Sequence, residues 1–257
     1  MKYHSYSYYL LVLILLLIFS CEGNKDGNGD NLPNITAAKR AVGQSANEML
    51  SDQYFTRMTL EIQYMPGFEP HPEMIENLGQ FLQFRLNKSS GINLVLREIE
   101  SEEKTSYSIA DIRRIEDSNR TAYNMGNELG MYILILDGTY EEDTGNSFVL
   151  GAAYRNTSAV LFGKRIKDNS GTLGRPTPQV LETTVILHEM GHLMGLVNIG
   201  SAMVHDHEDP DNQSHCDNEN CLMNWRVETS LLFNFLGGSI PTLDQNCLDD
   251  LKANGGK

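Results

Sequence analysis

HEMGHLMGLVN, residues 188–198, is the stretch around which the rest of the chain can be arranged. His188 and His192 are four residues apart, so on a helix they lie one turn apart on the same face. Two imidazole nitrogens placed that way can both reach one zinc ion at about 2.0–2.1 Å. Glu189 points about 100° round the helix from them. That is too far to be the natural third ligand, but well placed to take a proton from a metal-acidified water as it attacks a carbonyl. Val180, Leu187, Gly191 and Met194 fall on a different face, which is expected to pack on a sheet. Gly191 costs about 1 kcal/mol in a helix interior, which implies a close approach to a neighbour. Thr177 is a natural N-cap and Pro178 a natural first helical residue. Gly195 allows the sharp turn that ends such a helix.

Upstream of this helix, strand and helix patterns alternate. TRMTLEIQYM (56–65) reads as a strand with Met58, Leu60, Ile62 and Tyr64 on one face, and HPEMIENLGQFLQFRLNK (71–88) has apolar residues near helical spacing. INLVLREIE (92–100) is a strand, SIADIRRIEDSNRTAYN (108–124) a helix, and MYILILDG (131–138) a strongly apolar, buried strand. Such alternation predicts a largely parallel sheet with crossover helices. FVLGAAY (148–154) and SAVLFG (158–163) are joined only by Arg155-Asn156-Thr157, too short for a crossover. They predict an antiparallel hairpin that adds an edge strand. One helix with a weak point at Gly43 is expected over AAKRAVGQSANEML (37–50). At the other end, LLFNFLGG and LDQNCLDDLKANGG predict a short helix and a C-terminal helix. The fold class is therefore α/β (α+β): a mixed, mostly parallel sheet with an antiparallel edge strand, a site-bearing helix and a small C-terminal helical subdomain.

The 257-residue chain is long enough for a sizeable core, and its formal net charge of -14 argues against nucleic acid or an anionic lipid surface as partner. At the N-terminus, ten unbroken apolar residues run from Leu10 to Phe19, the length of a signal-peptide core and short for a membrane span. The run ends in Ile18-Phe19-Ser20-Cys21, which resembles a bacterial lipobox. That resemblance implies cleavage before Cys21 and lipidation of its thiol and new amino group. Residues 1–20 are then a signal peptide, 21–36 a polar tether with nothing to bury, and 37–257 the folded domain. The mature protein is expected outside the cytoplasm, anchored to a membrane through Cys21. Cys216, Cys221 and Cys247 would share an oxidising compartment, where disulfides persist. Their odd number leaves at least one thiol free, bridged to another molecule, or bound to metal.

With Gly195 at its offset, the motif resembles HExxHxxGxxH of the metzincins, a clan of zinc metallopeptidases. HCDNENCLM (215–223) sharpens the match, because it is similar to the archaemetzincin pattern of a third histidine followed by Cys-x4-Cys-x-Met. Those positions are His215, Cys216, Cys221 and Met223. The resemblance implies a metzincin-like sheet, with an upper subdomain to about residue 195 and a lower one over 196–257. It also implies zinc held by His188, His192 and His215, with Glu189 as general base and Met223 as a hydrophobic base beneath the metal. Two departures are visible. Asn198 stands where the third histidine should be, and His215 comes about seventeen residues later, which reads as an inserted loop. His207 is the first alternate for the third ligand, followed by His205, Asp206 and Asn198 itself. The family's later CxxC, part of a second, structural zinc site, is here Asp244-Gln245-Asn246-Cys247. One catalytic zinc and a disulfide are therefore expected, with Cys216–Cys221 narrowly the first pairing among the three cysteines. Residues 149–154 are the candidate edge for an extended substrate. The function implied is a monomeric peptidase acting on peptides or proteins, more readily an endopeptidase than an aminopeptidase. The rivals are a binding lipoprotein that has lost turnover and a hydrolase of a non-peptide amide or ester.

Overall fold

The first strand, β1 (Arg57–Tyr64), is buried along most of its length, and β2 (Ile92–Glu98) pairs beside it in parallel. The structure is a computed structural model that describes residues 32–144, 147–228 and 238–257. The expected signal segment, Cys21, the first part of the expected tether and nearly all of the closing segment LLFNFLGG lie outside those residues. β4 (Glu128–Leu136) flanks β1 on its other side, in register Met58 to Leu129 and Leu60 to Met131, after the short β3 (Ser106–Tyr107). A second short strand, β5 (Thr139–Tyr140), pairs in parallel with β3 in a small separate sheet. β6 (Gly151–Arg155) and β7 (Ser158–Phe162) complete the main sheet, whose order is β2-β1-β4-β7-β6. Only β6 runs antiparallel, and it forms one edge, as the short link predicts. The link is two residues rather than three, because Arg155 still pairs with Ser158 across a local irregularity in register.

Side chains alternate across the strands and feed two cores. Met58, Leu60 and Ile62 of β1 join Met131, Ile133 and Ile135 of β4 on one face. That face receives α3 (Pro72–Arg85) through Met74, Leu78 and Leu82, and α6 (Pro178–Leu193) through Leu181, Val185 and Ile186. The opposite face packs Tyr132, Leu134, Val160 and Phe162 against Ile112 and Ile115 of α4 (Ile109–Asn119). α4 starts at a capping box between Ser108 and Asp111 and stops at Asn119, short of the expected 124. The expected opening helix is instead two pieces, α1 (Ile35–Ala38) and α2 (Ala46–Leu50), separated by a turn with Gly43 at φ +77°. A third short helix, α5 (Gly163–Asp168), follows β7, and α7 (Gln245–Ala253) is the expected C-terminal helix.

Polar contacts that a linear reading misses hold the β6–β7 hairpin in place. At its turn, Asn156 donates to the Ala37 carbonyl (3.0 Å) and accepts from the Ser45 backbone N–H (2.8 Å). Behind it, Arg120 and Glu116 form a fully buried ion pair (2.7 Å), and Arg155 adds a second link to Glu116 (2.9 Å). Arg120 also donates to Ser158 Oγ and to the Gly130 carbonyl, so these charges have hydrogen-bonded partners within the core. The edge strand is therefore braced from both faces. None of the described helices is long and apolar enough to cross a membrane.

Candidate metal centre

α6 begins as the sequence predicts, with the Thr177 hydroxyl accepting from Val180 N–H (3.4 Å) and Pro178 in the first turn. It is then buried on all sides from Leu181 to Leu193, packed against α3, β6 and β7. His188, Glu189 and His192 are therefore interior residues. The ring nitrogens His188 Nε2 and His192 Nε2 lie 3.0 Å apart. His188 Nδ1 lies 2.7 Å from the Leu222 carbonyl, an acceptor, so its proton sits there and Nε2 presents a lone pair.

The helix ends at Gly195 (φ +77°), where a side chain would strike the Ser201 backbone N–H. Val197 (φ 52°) and Asn198 (φ 66°) continue in left-handed backbone, unusual for a β-branched residue. They turn the chain into the loop over 199–215, which reads as inserted in the sequence and which folds back on itself. Glu208 bridges Cys216 in antiparallel fashion, Asp209 N–H donates to the His215 carbonyl (2.8 Å) and Ser214 N–H to the Glu208 carboxylate (2.7 Å). Asp209 caps this bend by accepting from the backbone N–H groups of Asp211 and Asn212, which hold its carboxyl below the usual range. The fold-back sets His215 against the helix pair. Its ring stacks on His188 (centroids 5.4 Å apart) and meets His192 edge-on (5.1 Å).

Of the candidate third ligands, His215 is the one brought to the pair: ligand atoms of His188, His192 and His215 all lie within 4.8 Å of one another. Asn198, His205 and Asp206 are exposed, and His207 is buried in a different cluster. Two nitrogens on a tetrahedral zinc stand about 3.3 Å apart at normal bond lengths. The 3.0 Å between His188 and His192 fits that donor set after an opening of a few tenths of an ångström.

Two glycines shape the surroundings. Gly191 does not face the sheet, as the helix-face reading expects; a Cβ there would run into Met223 Sδ. The helix interior is thinned for the methionine, which is fully buried and follows directly on the Leu222 carbonyl that orients His188. Gly151, at the start of β6, makes room on the other side: a Cβ would lie 2.6 Å from Val185 Cγ1 and 2.9 Å from Glu189 Oε1. No sequence pattern marks Gly151, because its neighbour Glu189 is 38 residues away. A groove of about 360 Å³ opens along this edge, lined by Gly151, Ala152, Ala153, His192, Val42 and Tyr140 among others.

The cysteines depart from expectation. Cys216, Cys221 and Cys247 are all buried, unbridged thiols, so the expected Cys216–Cys221 disulfide is not formed. Their sulfurs turn instead towards a shared interior point next to His207 and Asp244. Hydrogen bonds from Cys216, Cys247 and the backbone of Asp244 and Met223 push the Cys221 thiol down to about 4, while Cys221 pushes Cys216 up to about 12.

No protein-family model and no curated protein matches the chain. Solved structures do. An archaemetzincin from Methanopyrus kandleri aligns with a TM-score of 0.49 at 17% identity, over 77% of this chain and 96% of that one. A zinc-dependent peptidase from Methanocorpusculum labreanum aligns at 0.45 and 16% identity, over 75% of this chain and 99% of that one. Metalloproteinase-II from Bacteroides fragilis aligns at 0.41 and 13% identity, over 88% of this chain and 58% of that one.

Proposed function

We propose that the chain is a zinc-dependent peptidase. The observation that carries this reading is the convergence of His188, His192 and His215, with ligand atoms within 4.8 Å of one another, beside Glu189, which follows His188 directly in the helix. Three imidazoles are a donor set that suits zinc. A zinc held by His188, His192 and His215 would supply an acidified water and a polarised carbonyl.

The protein's own groups do the rest. The Leu222 carbonyl keeps the His188 proton on Nδ1 and so aims Nε2 into the site. Glu189, fully buried and adjoining Gly151, is the general base that takes a proton and returns it to the leaving amine. The free edge of β6 offers backbone groups to an extended peptide, whose repeating amides can pair with it as an added strand. The apolar side chains lining the adjoining groove favour an apolar substrate residue beside His192.

The test is digestion of a mixed peptide library by the zinc-loaded protein and by Glu189→Gln. Wild type is expected to cut, and the variant to bind the same amount of zinc while cutting at least about 100-fold more slowly. A wild-type protein that binds zinc but leaves the library intact refutes the peptidase reading, and so does a variant that cuts at the wild-type rate.

A further inference from the structure

The groove beside the metal centre wraps the free edge of β6 and is walled from both faces of the sheet. Val42, His192 and Ile199 line it on the face that carries α6. Ile109, Tyr140 and Val149 line it on the face that carries α4. Between the two walls β6 presents a pair of half-buried alanines, Ala153 packed with the α6 side and Ala152 with the α4 side. We propose that the protein selects peptides with two adjacent apolar residues, one read by each face of the sheet. Val42 and Ile199 set the choice at one position, and Ile109 and Tyr140 set it at the neighbouring one. This rests on the peptidase reading and names the substrate class of that site.

Three observations support it. The first is the alternation that strand pairing imposes. Successive side chains of an extended chain point to opposite faces, so a peptide added to β6 presents neighbouring residues to the two walls in turn. The groove, at about 360 Å³, lies near the lower end of ligand pockets, roughly 300–1,000 Å³. That space suits one sizeable side chain on each side of the edge rather than a run of them. The methyl groups of Ala152 and Ala153 leave free, on their own faces, the room that a longer side chain would take.

The second is that the wall on the α6 side is built by close backbone contact. Gly43 has φ +77°, and a Cβ there would lie 2.0 Å from the Ile199 carbonyl oxygen. A Cβ on Gly200 would in turn lie 2.2 Å from the Gly43 carbonyl oxygen. Two glycines thus let the segment before α2 touch the segment after the motif helix, which sets Val42 and Ile199 side by side. Both are half-buried, so each still offers apolar surface to the groove.

The third separates apolar from charged substrates. A chain with a net charge of -14 attracts cationic peptides in general. Among the described residues that line the groove, however, none brings a carboxylate, an ammonium or a guanidinium. A charged substrate side chain placed here would lose its water without gaining a partner, whereas an apolar one gains by leaving water.

The test has two arms. Fluorescent peptides made otherwise of Gly and Ser are titrated into zinc-loaded Glu189→Gln and followed by anisotropy. A Leu-Leu peptide is expected to bind about tenfold more tightly than a single-Leu peptide, and a Leu-Ser-Leu peptide no more tightly than the single-Leu one. In the second arm, wild type, Ala153→Leu and Ala152→Leu cut a position-randomised peptide library. Each variant should lose the apolar preference at one position, and the two positions should be adjacent. Val42→Thr, which nearly keeps the side-chain size, should weaken the preference at the same position as Ala153→Leu, and so reads the α6 wall without altering the edge strand. Equal binding of the Leu-Leu and Leu-Ser-Leu peptides overturns the proposal, as does the absence of binding or a shift at one and the same position in both alanine variants. Cleavage without preference for adjacent apolar residues counts against this proposal alone. Binding in the expected pattern by a wild-type protein that cuts nothing counts against the peptidase reading alone.

Discussion

Replacing Gly191 with alanine sets two effects of opposite sign against each other. In a helix interior alanine is favoured over glycine by about 1 kcal/mol. Here, however, the new methyl would overlap Met223 Sδ, with Met223 Cε at 3.1 Å and Leu196 Cδ1 at 3.4 Å. Met223 is fully buried, and its backbone is held by Cys216 N–H, which donates to its carbonyl at 2.8 Å. The thioether must therefore change rotamer within a filled interior. Overpacking of that kind typically costs about 1–3 kcal/mol, and an overlap with the sulfur itself belongs at the upper end. The net expectation is a loss of about 2 kcal/mol, which for a domain of this size lowers Tm by about 4–8 °C. Thermal unfolding followed by circular dichroism, at one fixed zinc concentration, measures it. Combining Gly191→Ala with Met223→Ala gives the decisive comparison, because the truncation removes what the methyl strikes. The double variant should be more stable than the sum of the singles by about 1–3 kcal/mol. A rise in Tm for Gly191→Ala, or additivity within about 0.5 kcal/mol, would refute the placement of Met223 against the helix.

Gly151→Ala should act on turnover more than on metal binding. Its Cβ would lie 2.9 Å from Glu189 Oε1, so cleavage is expected to fall by about 100-fold at unchanged zinc content, and an unaltered rate would speak against Glu189 as the base. Glu182, on the same helix, is raised to about 7 because burial opposes its charge, outweighing the His71 backbone N–H that lowers it. An acid with a raised folded-state value stabilises the fold below its unfolded value, near 4.5, and that stability is lost as pH rises through about 7. Glu182→Gln, which keeps an acceptor for His71, should leave Tm nearly unchanged at pH 4.5 and raise it at pH 8 by up to about 3 kcal/mol of stability. An equal shift at both pH values would show that the carboxylate's ionisation is not the cause.

The main sheet was legible because 56–65 alternates apolar and polar residues, 131–138 is strongly apolar, and strand and helix patterns alternate along the chain. Thr177-Pro178 marks α6, whereas the capping box of Ser108 and Asp111 that starts α4 emerges only in the structure. The edge hairpin was legible from the length of its link alone. Gly191 was misplaced because helical periodicity names a face but not what lies opposite it; Met223 comes 32 residues later. The buried charges of α4 were missed for a related reason. Glu116 looks like any solvated helix carboxylate until Arg120 and, from a distant strand, Arg155 close around it. His207 was weighed only as an alternate for the first site, since nothing local shows that Asp250, 43 residues further on, holds it elsewhere. The disulfide expectation failed because compartment and cysteine count say nothing about the histidine and backbone N–H groups among which the thiols lie.

The anchoring of the loop over 199–215 couples two distant parts of the fold. Val204 and His207, near the start of the loop, are both held by Asp250 on α7. The fold-back that delivers His215 begins at the very next residue, Glu208, which bridges Cys216. The position of the third histidine is thus tied to the docking of α7, so a change on that helix that frees Asp250 would reach His215 without touching it.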